Sequence, residues 1–184
     1  MSAVQIVFGS ILLFLILLAS WQPLQKPRSH GFYRFFGFVA TDVIIVLNLP
    51  HWLVRPLEPL QIISWVLLVT SLLVGIPGVC QLRRHGGWAK REDSPETLRF
   101  EETERLVTTG IYRYIRHPMY SSLLFLSWGA CFKSVTPASI AALAAAILFY
   151  AVTARVEEQE NRRVFGDEYD AYMKSSRMFV PFII

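Results

Sequence analysis

Apolar residues along this chain fall into long uninterrupted runs that short polar segments separate. The first run, from Val4 to Trp21, nearly spans a hydrocarbon core of about 30 Å if it is helical, at about 1.5 Å per residue. Two similar runs follow at Phe35 to Leu53 and at Gln61 to Val79, where Pro77 is expected to kink the end of the helix. The pattern therefore predicts three membrane helices before the middle of the chain.

Two apolar runs of unequal length make up the rest of the pattern. Met119 to Phe132 would be about 21 Å long as a helix, too short to cross the hydrocarbon core, whereas Ala138 to Val156 is long enough. A turn at Ser134 to Pro137 joins them into a helical hairpin. The polar stretch before the short arm is expected to lie partly below the headgroup level. Irregular backbone is tolerated there only if protein buries it or it lines a cavity.

Charged residues take over after Val156 and predict that the long arm continues into water. Gly166 is expected to end this helix as its C-cap. Asp167 is expected to cap a further short helix in which Tyr169 and Tyr172 share a face. The apolar residues from 178 to 184 are expected to lie against the membrane surface.

These elements predict an all-α fold, an integral membrane helical bundle of about five transmembrane helices with a cytoplasmic C-terminal helical segment. N-terminal transmembrane helices are assigned to residues 1–80 and a candidate catalytic region to residues 81–184, within a single integrated domain. Composition supports this class, because 53% of the 184 residues are hydrophobic and only 17% are charged.

The positions of the basic residues change the picture more than the net charge of +4 does. They lie between the apolar runs instead of forming one stripe, which argues against nucleic acid binding. Three flank the first polar loop, eight lie between residues 83 and 116, and five lie from residue 155 onward, whereas only Arg55 and Lys133 belong to the other side. By the positive-inside rule, the N-terminus is expected outside and the C-terminus in the cytoplasm.

A few polar or reactive residues stand apart from this pattern. Ser94, in the charged segment from 83 to 105, is expected to cap a short helix begun by Pro95. Cys80 and Cys131 lack metal-ligand spacing, so both are interpreted as small apolar residues and no metal site is predicted. Asp42 lies within the second apolar run, where an acid is either functional or hydrogen-bonded inside the bundle, and both interpretations remain open.

The stretch from residue 106 to 122, LVTTGIYRYIRHPMYSS, places polar and aromatic residues immediately before the short arm. Gly110 permits a turn that most residues resist, while Pro118 breaks the helical hydrogen bonding and moves His117 out of the helical region. The side chains around this break belong to Tyr112, Arg113, Tyr114, Arg116, His117 and Tyr120. They suit a polar ligand with an aromatic part, although such a cluster is also typical of an interfacial anchor.

A pair of acids, Glu157 and Glu158, lies at the foot of the long arm and is expected to meet this motif in space. Together the two pieces offer cations, aromatic rings, carboxylates and the backbone donors that the proline frees. A zwitterionic ligand with a planar base, such as S-adenosylmethionine, needs such a set. Carboxylates bind its ammonium and hydroxyl groups, and an Arg or His binds its carboxylate. The alternative for the acidic pair is a solvated helix face.

The order of these residues resembles a family of membrane methyltransferases that includes isoprenylcysteine carboxyl methyltransferase and, more distantly, phospholipid N-methyltransferases. The resemblance covers roughly the C-terminal half. It consists of a G-x-Y turn, an R-H-P-x-Y-x-G motif, a Glu-Glu pair, a Phe-Gly and two tyrosines. The matching residues are Gly110, Tyr112, Arg116, His117, Pro118, Tyr120, Glu157, Glu158, Phe165, Gly166, Tyr169 and Tyr172.

The resemblance implies a pocket for S-adenosylmethionine that the C-terminal tail closes and that opens sideways to lipid. The implied cofactor-binding residues are Gly110, Tyr112, Arg116, His117, Pro118, Tyr120, Glu157 and Glu158. Catalytic roles are implied for Arg116, His117 and Glu158. The implied function is an S-adenosylmethionine-dependent methyltransferase that modifies a carboxyl, amine or hydroxyl group of a membrane-embedded or lipophilic acceptor, such as a lipid.

Three positions depart from the family pattern. Ser122 replaces the last glycine of the first motif, and Asn161 replaces a leucine after the acidic pair. Thr153 stands where prenylcysteine-methylating members carry an arginine, which favours a lipid or other hydrophobic small molecule as the acceptor. A protein-S-isoprenylcysteine carboxyl O-methyltransferase is the alternative. A reductase related to the much longer sterol reductases and a non-enzymatic membrane scaffold are the remaining alternatives.

Overall fold

The computed structural model describes residues 1–86 and 105–180. Within these ranges it has six α-helices, two short 3-10 turns and no β-strand. The α-helices are α1 (Ala3–Leu24), α2 (His30–Asn48), α3 (Pro59–His85), α4 (Pro118–Cys131), α5 (Pro137–Phe165) and α6 (Asp167–Ser175). Four of them, α1, α2, α3 and α5, are long and apolar enough to cross a membrane. The predicted all-α membrane bundle is therefore confirmed for the described part of the chain.

Helix boundaries differ from the sequence-based ones mainly at polar ends. α2 begins at His30, before the apolar run, because the Ser29 hydroxyl accepts the Phe32 N–H and caps the helix. α3 continues to His85, so Pro77 lies inside this helix instead of at its end. α6 begins at Asp167 itself, so this residue is not the cap. The helix expected after Ser94 lies outside the described residues, as do residues 181–184.

α2 lies at the centre of the bundle and packs on α1, α4 and α5. Gly37 faces Tyr150 so closely that a Cβ there would lie 2.6 Å from the ring atom Cε1. The Thr41 hydroxyl lies 2.9 Å from the hydroxyl of Ser127 and 2.9 Å from that of Tyr150. These contacts join α2, α4 and α5 through small and hydroxyl-bearing residues as well as through apolar packing.

The short arm α4 has 14 residues, which agrees with the predicted length. Hydrogen bonds from α3 hold its far end and the turn that follows. The Ser64 hydroxyl donates to the Gly129 carbonyl at 2.6 Å, and the Gln61 side-chain amide donates to the Lys133 carbonyl at 2.9 Å. α4 is therefore fixed along α3, and its other end, at Pro118, lies beside the acidic part of α5.

Asp42 lies within α2 and is 7% exposed. Its Oδ1 atom accepts no hydrogen bond from the described residues. The sequence leaves open whether Asp42 is functional or hydrogen-bonded inside the bundle. At this oxygen, the described residues provide no donor for the second interpretation.

Candidate active site

The turn at Gly110 fixes the start of the candidate site. Gly110 has a φ of +60°, and a Cβ on it would lie 1.6 Å from Gln81 Nε2, so both the backbone and the space require glycine. The N–H of Ile111 donates to Gln81 Oε1 at 3.0 Å. Tyr112 follows in a 3-10 turn, and its carbonyl accepts the Tyr172 hydroxyl at 2.6 Å. The turn is thus attached to both α3 and α6.

The backbone is irregular before α4, as the sequence predicts. His117 has a φ of −120° and a ψ of 61°, outside the helical region, and Pro118 is the first helical residue. The prediction that freed backbone donors face a ligand is wrong for two of them. The Arg116 N–H donates to the Arg177 carbonyl at 2.7 Å, and the His117 N–H donates to the Met178 carbonyl at 3.1 Å. The C-terminal tail therefore covers the break and satisfies its donors.

Arg116 and Glu158 form a buried ion pair at the centre of the site. Arg116 Nε donates to Glu158 Oε1 at 2.7 Å, and each side chain is 9% exposed. Arg116 Nη1 donates to the carbonyls of Met173 and Ser176, at 3.2 and 2.6 Å. Because a guanidinium carries five N–H donors, these three bonds leave the two donors on Nη2 without a partner among residues 1–86 and 105–180. Arg116 therefore holds the end of α6 and keeps one nitrogen for a further partner.

His117, Tyr120 and Glu157 form the second polar cluster of the site. The Tyr120 hydroxyl donates to Glu157 Oε2 at 2.6 Å, and the rings of His117 and Tyr120 are stacked with centroids 5.5 Å apart. His117 Nδ1 lies 3.8 Å from Glu157 Oε2. His117 Nε2 lies 3.4 Å from Glu158 Oε1 but makes no hydrogen bond within the described ranges, although it is buried. A polar ligand would satisfy this nitrogen.

One cleft brings most of the predicted residues together. Six of the eight predicted cofactor-binding residues line it, namely Tyr112, Arg116, His117, Pro118, Tyr120 and Glu157. Glu158 is outside the lining and contacts Arg116 and His117 from behind. Gly110 is also outside the lining, where it shapes the turn that carries Tyr112.

Several residues of the cleft are absent from the predicted site. Leu82 of α3 and Val107 form a buried apolar wall, and Gln81 supports the Gly110 turn without lining the cleft. Nothing in the sequence distinguishes these residues from others in apolar or polar runs. Asn161 and Phe165 line the cleft from α5, and Tyr169 and Tyr172 line it from α6. The family pattern includes all four of these positions, with a leucine where Asn161 stands, and so supplies a signal for them.

Tyr169 and Tyr172 pack against each other in an edge-on arrangement with centroids 5.9 Å apart, which confirms that they share a face of α6. Burial raises the pKa of both hydroxyls above the ordinary tyrosine value. Both side chains are therefore neutral at physiological pH. Tyr172 acts as a hydrogen-bond donor to the Gly110 turn, as described above.

A second attachment between helices lies beside the cleft. His30, the first residue of α2, donates its backbone N–H to Glu160 Oε1 at 3.2 Å, and its Nδ1 lies 2.5 Å from Glu160 Oε2. Glu160 belongs to the same turn of α5 as Glu157 and Glu158. The pair therefore fixes the acidic turn of α5 against α2, and no pattern in the sequence indicates it.

Comparison with known proteins identifies related chains. Residues 94–168 match the family model described as phospholipid methyltransferase. A human protein named protein-S-isoprenylcysteine O-methyltransferase is 31% identical over 147 residues, which cover 75% of this chain and 51% of the human one. Methanethiol S-methyltransferase 1 of Bradyrhizobium diazoefficiens is 25% identical over 180 residues, which cover 87% of this chain and 57% of that protein. No solved structure matches.

The fold and the site define an α-helical membrane protein with a polar cleft at the foot of a helical hairpin. The family match covers residues 94–168, and over that part of the chain the resemblance seen in the sequence is confirmed. The chain spans about half the length of the curated relatives it matches, for instance 44% of protein-S-isoprenylcysteine O-methyltransferase B of Arabidopsis thaliana, to which it is 36% identical over 87 residues.

Proposed function

We propose that this chain is an S-adenosylmethionine-dependent methyltransferase that acts on a membrane-embedded or lipophilic acceptor. One observation carries the proposal: the motif before α4 and the acidic turn of α5 converge on a single cleft, and α6 encloses it with two tyrosines. The names of the relatives support transfer of a methyl group, since both kinds of relative are called methyltransferases. The predicted site residues are part of this proposal.

The donor groups of the cleft fit S-adenosylmethionine. Glu157 offers a carboxylate to an ammonium or to ribose hydroxyls, and the Arg116 Nη2 group offers two N–H donors to a carboxylate. The buried His117 Nε2 atom has no other hydrogen bond in the described part of the chain. Aromatic rings of Tyr112 and Tyr169 supply flat surfaces for a planar base. When bound, the cofactor supplies an electrophilic methyl group on a sulfonium.

The residues of the chain have three tasks in such a reaction: to bind, to orient and to exclude water. The Arg116–Glu158 pair holds the end of α6 in place, and the tail covers the break at His117. An acceptor carboxylate needs no general base. An amine or hydroxyl acceptor must lose a proton, and His117 and Glu157, which line the cleft, are the candidates to accept it.

The acceptor and the orientation follow from the membrane setting. A 14-residue α4 places the cleft close to the membrane, because about 21 Å of helix does not cross a hydrocarbon core of about 30 Å. We infer that the cleft faces the cytoplasm, in accordance with the distribution of basic residues. Thr153 is fully buried, and its hydroxyl donates to the Phe149 carbonyl. Because threonine is uncharged, this position supplies no cation for a prenylcysteine carboxylate.

Cofactor binding is tested by calorimetry on the purified protein. Arg116→Ala should weaken S-adenosylmethionine binding by about 1.5 to 3 kcal/mol, the value of a charge-assisted hydrogen bond. Glu158→Ala should also weaken it, because Arg116 then loses the carboxylate that orients it. Tyr120→Phe and Glu157→Gln test the second polar cluster of the site without breaking the buried pair of Arg116 and Glu158. Glu58 lies at an exposed position that is distant in sequence from the site. Glu58→Gln is therefore the control that should leave binding unchanged. Unchanged affinity in all four site variants would contradict the proposed site.

The reaction is tested by incubating membranes that contain the protein with methyl-labelled cofactor and extracting them with organic solvent. Protein-dependent label in the organic phase, lost in Glu158→Ala, is expected. Label confined to water-soluble products would contradict a lipophilic acceptor. Binding of a nicotinamide cofactor instead would favour a reductase, and binding of neither cofactor would favour a scaffold.

A further inference from the structure

A small hollow on the surface lies where the motif before α4 meets the end of α6. It is lined by Arg113, Tyr114, Lys174, Ser175 and Arg177 and has a volume of about 160 Å³. All five residues are exposed, and none of them lines the polar cleft. We call this feature the basic hollow, and it is open to molecules that do not enter the cleft.

Three of the five side chains that line the basic hollow are cationic. The Cζ atom of Arg113 lies 6.0 Å from the centre of the Tyr114 ring, whose face attracts the guanidinium. In the part of the chain that the structure describes, Arg113, Lys174 and Arg177 form no ion pair, and each carboxylate that forms one has another partner. Glu168 lines an adjoining hollow that shares Arg113. The basic hollow itself has no acidic residue in its lining, so it complements an anion.

The three cations belong to two segments of the chain that meet at this hollow. The Arg177 N–H donates to the Tyr114 carbonyl at 3.0 Å, and the Arg116 N–H donates to the Arg177 carbonyl at 2.7 Å. Arg113 therefore lies on the side of the motif, and Lys174 and Arg177 lie on the side of the C-terminal tail. Like charges on the two sides repel each other, and an anion between them replaces that repulsion with attraction.

The residues that follow the basic hollow place it at the foot of the bundle. Met178 and Phe179 pack against the apolar cluster that α2, α4 and α5 bury. The hydroxyl of Ser121, in the first turn of α4, donates to the Phe179 carbonyl at 2.7 Å. Arg177 therefore lies where the chain passes from the surface into the bundle. Basic and aromatic side chains at such a boundary typically face lipid headgroups, where anionic phospholipids carry their phosphates.

We propose that the basic hollow binds the phosphate of an anionic membrane lipid between Arg113, Lys174 and Arg177, and that the bound phosphate holds the C-terminal tail over the cleft. The guanidinium groups match phosphate oxygens with paired N–H donors, and the lysine adds a compact charge. A phosphate is favoured over a carboxylate because it presents more oxygens to three separate cations. A lipid is favoured over a soluble phosphate because the tail beside the hollow packs into the membrane bundle.

The effect of this lipid on the cleft rests on the proposed function. Arg116 donates to the carbonyls of Met173 and Ser176, which flank the tail-side part of the hollow in the chain. A phosphate that fixes Lys174 and Arg177 also fixes these two acceptors, and thereby the orientation of the Arg116 guanidinium. Anionic lipid is therefore expected to strengthen cofactor binding without contacting the cofactor.

Lipid binding is measured by native mass spectrometry on the full chain in neutral detergent. Dioleoyl phosphatidate is the probe, and dioleoyl phosphatidylcholine is the zwitterionic comparison. Arg113→Gln, Lys174→Gln and Arg177→Gln should each weaken phosphatidate binding by about fivefold, the usual contribution of one cation that faces anionic lipid. The triple variant should bind the two lipids alike. Equal binding of the two lipids by the natural chain would overturn the inference.

A control variant with the same net charge separates this site from general attraction to a basic protein. Lys26→Gln, Arg83→Gln and Arg84→Gln together remove three exposed cations that lie outside the hollow, and should leave phosphatidate binding nearly unchanged. Glu168→Gln should strengthen it, because a negative charge is lost from the adjoining hollow. Equal losses in the two triple variants would overturn the site. Displacement of phosphatidate by an equimolar amount of inorganic phosphate would overturn the assignment to a lipid.

The tail is followed by hydrogen exchange of residues 176–180, and the cleft by calorimetry with S-adenosylmethionine, each with and without phosphatidate. Phosphatidate should slow the exchange in the natural chain but not in the triple variant of the hollow. Unchanged exchange with lipid bound would overturn the effect on the tail. Lipid binding that slows exchange in a chain that binds no cofactor refutes the proposed function alone. Cofactor binding together with equal lipid binding by the hollow and control variants refutes this inference alone.

Discussion

At the scale of single residues, the site is held by a few buried polar bonds whose partners are far apart in sequence. The Arg116 guanidinium connects the motif before α4 with Glu158 on α5 and with two carbonyls at the end of α6. Removing one partner of a buried ion pair leaves an uncompensated charge, which is far more costly than loss of an exposed pair. Arg116 and Glu158 thus contribute to the fold as well as to the proposed chemistry.

Glu158→Gln is expected to lower the free energy of unfolding by about 3 kcal/mol, since Arg116 remains buried without its carboxylate. The measurement is denaturant unfolding in detergent, combined with Arg116→Leu and the double variant as a mutant cycle. The matched control is the exposed pair of Arg162 and Asp170, whose side chains are 53% and 48% exposed. Asp170→Asn is expected to cost less than about 1 kcal/mol. Equal losses for the two pairs would contradict the burial argument.

At the scale of the elements, α4 is positioned by the turn that precedes it. Gly110 approaches Gln81 so closely that any Cβ would collide with the side-chain amide, and that amide also accepts the Ile111 N–H. The turn therefore fixes the position of Tyr112, and of the side of the cleft that it lines, relative to α3.

Gly110→Ala is expected to destabilise the protein by at least about 1 kcal/mol, because alanine resists positive φ and its Cβ displaces Gln81. Weaker binding of S-adenosylmethionine should accompany it, measured by calorimetry. Gln81→Ala removes the colliding group but also the acceptor for Ile111. If the collision matters, adding Gly110→Ala to Gln81→Ala should cost less than Gly110→Ala costs alone. An equal cost in both backgrounds would leave backbone strain as the whole effect.

At the scale of the whole molecule, the basic residues and the helices predict that the loop between α2 and α3 and the C-terminal segment lie on opposite sides of a membrane. Leu57 in that loop is 84% exposed, and Lys174 near the end of α6 is also exposed. Cys131 is 1% exposed, so it is a poor target for a thiol reagent.

Leu57→Cys and Lys174→Cys, each in a chain whose native cysteines are replaced by serine, are expected to differ in labelling of intact cells. An impermeant thiol reagent should modify Leu57→Cys from outside, and should reach Lys174→Cys only after the membrane is opened, by the positive-inside rule. The mobility shift of each variant after labelling provides the readout. Labelling of both variants in intact cells would contradict the proposed orientation.

The sequence by itself determined the helical class and the order of the elements. Apolar runs as long as a membrane is thick have few alternatives, because backbone groups in hydrocarbon must be paired within helices or barrels. The unequal hairpin, the end of α5 at Gly166 and the shared face of Tyr169 and Tyr172 follow from equally local rules, and the structure confirms them. The motif residues were recognisable because proline and glycine restrict the backbone wherever they occur.

Only the tertiary structure decided which groups of the motif are already paired. Backbone donors at Arg116 and His117 are occupied by the C-terminal tail, and Glu158 lies behind the cleft while Glu157 lines it. Pairings such as these join residues dozens of positions apart, and no periodicity in the sequence encodes them. The burial of Arg34 was also decided by the tertiary structure. In the sequence it is one more basic residue near a loop, and it becomes a buried cation because α2 begins at His30 and packs inside the bundle.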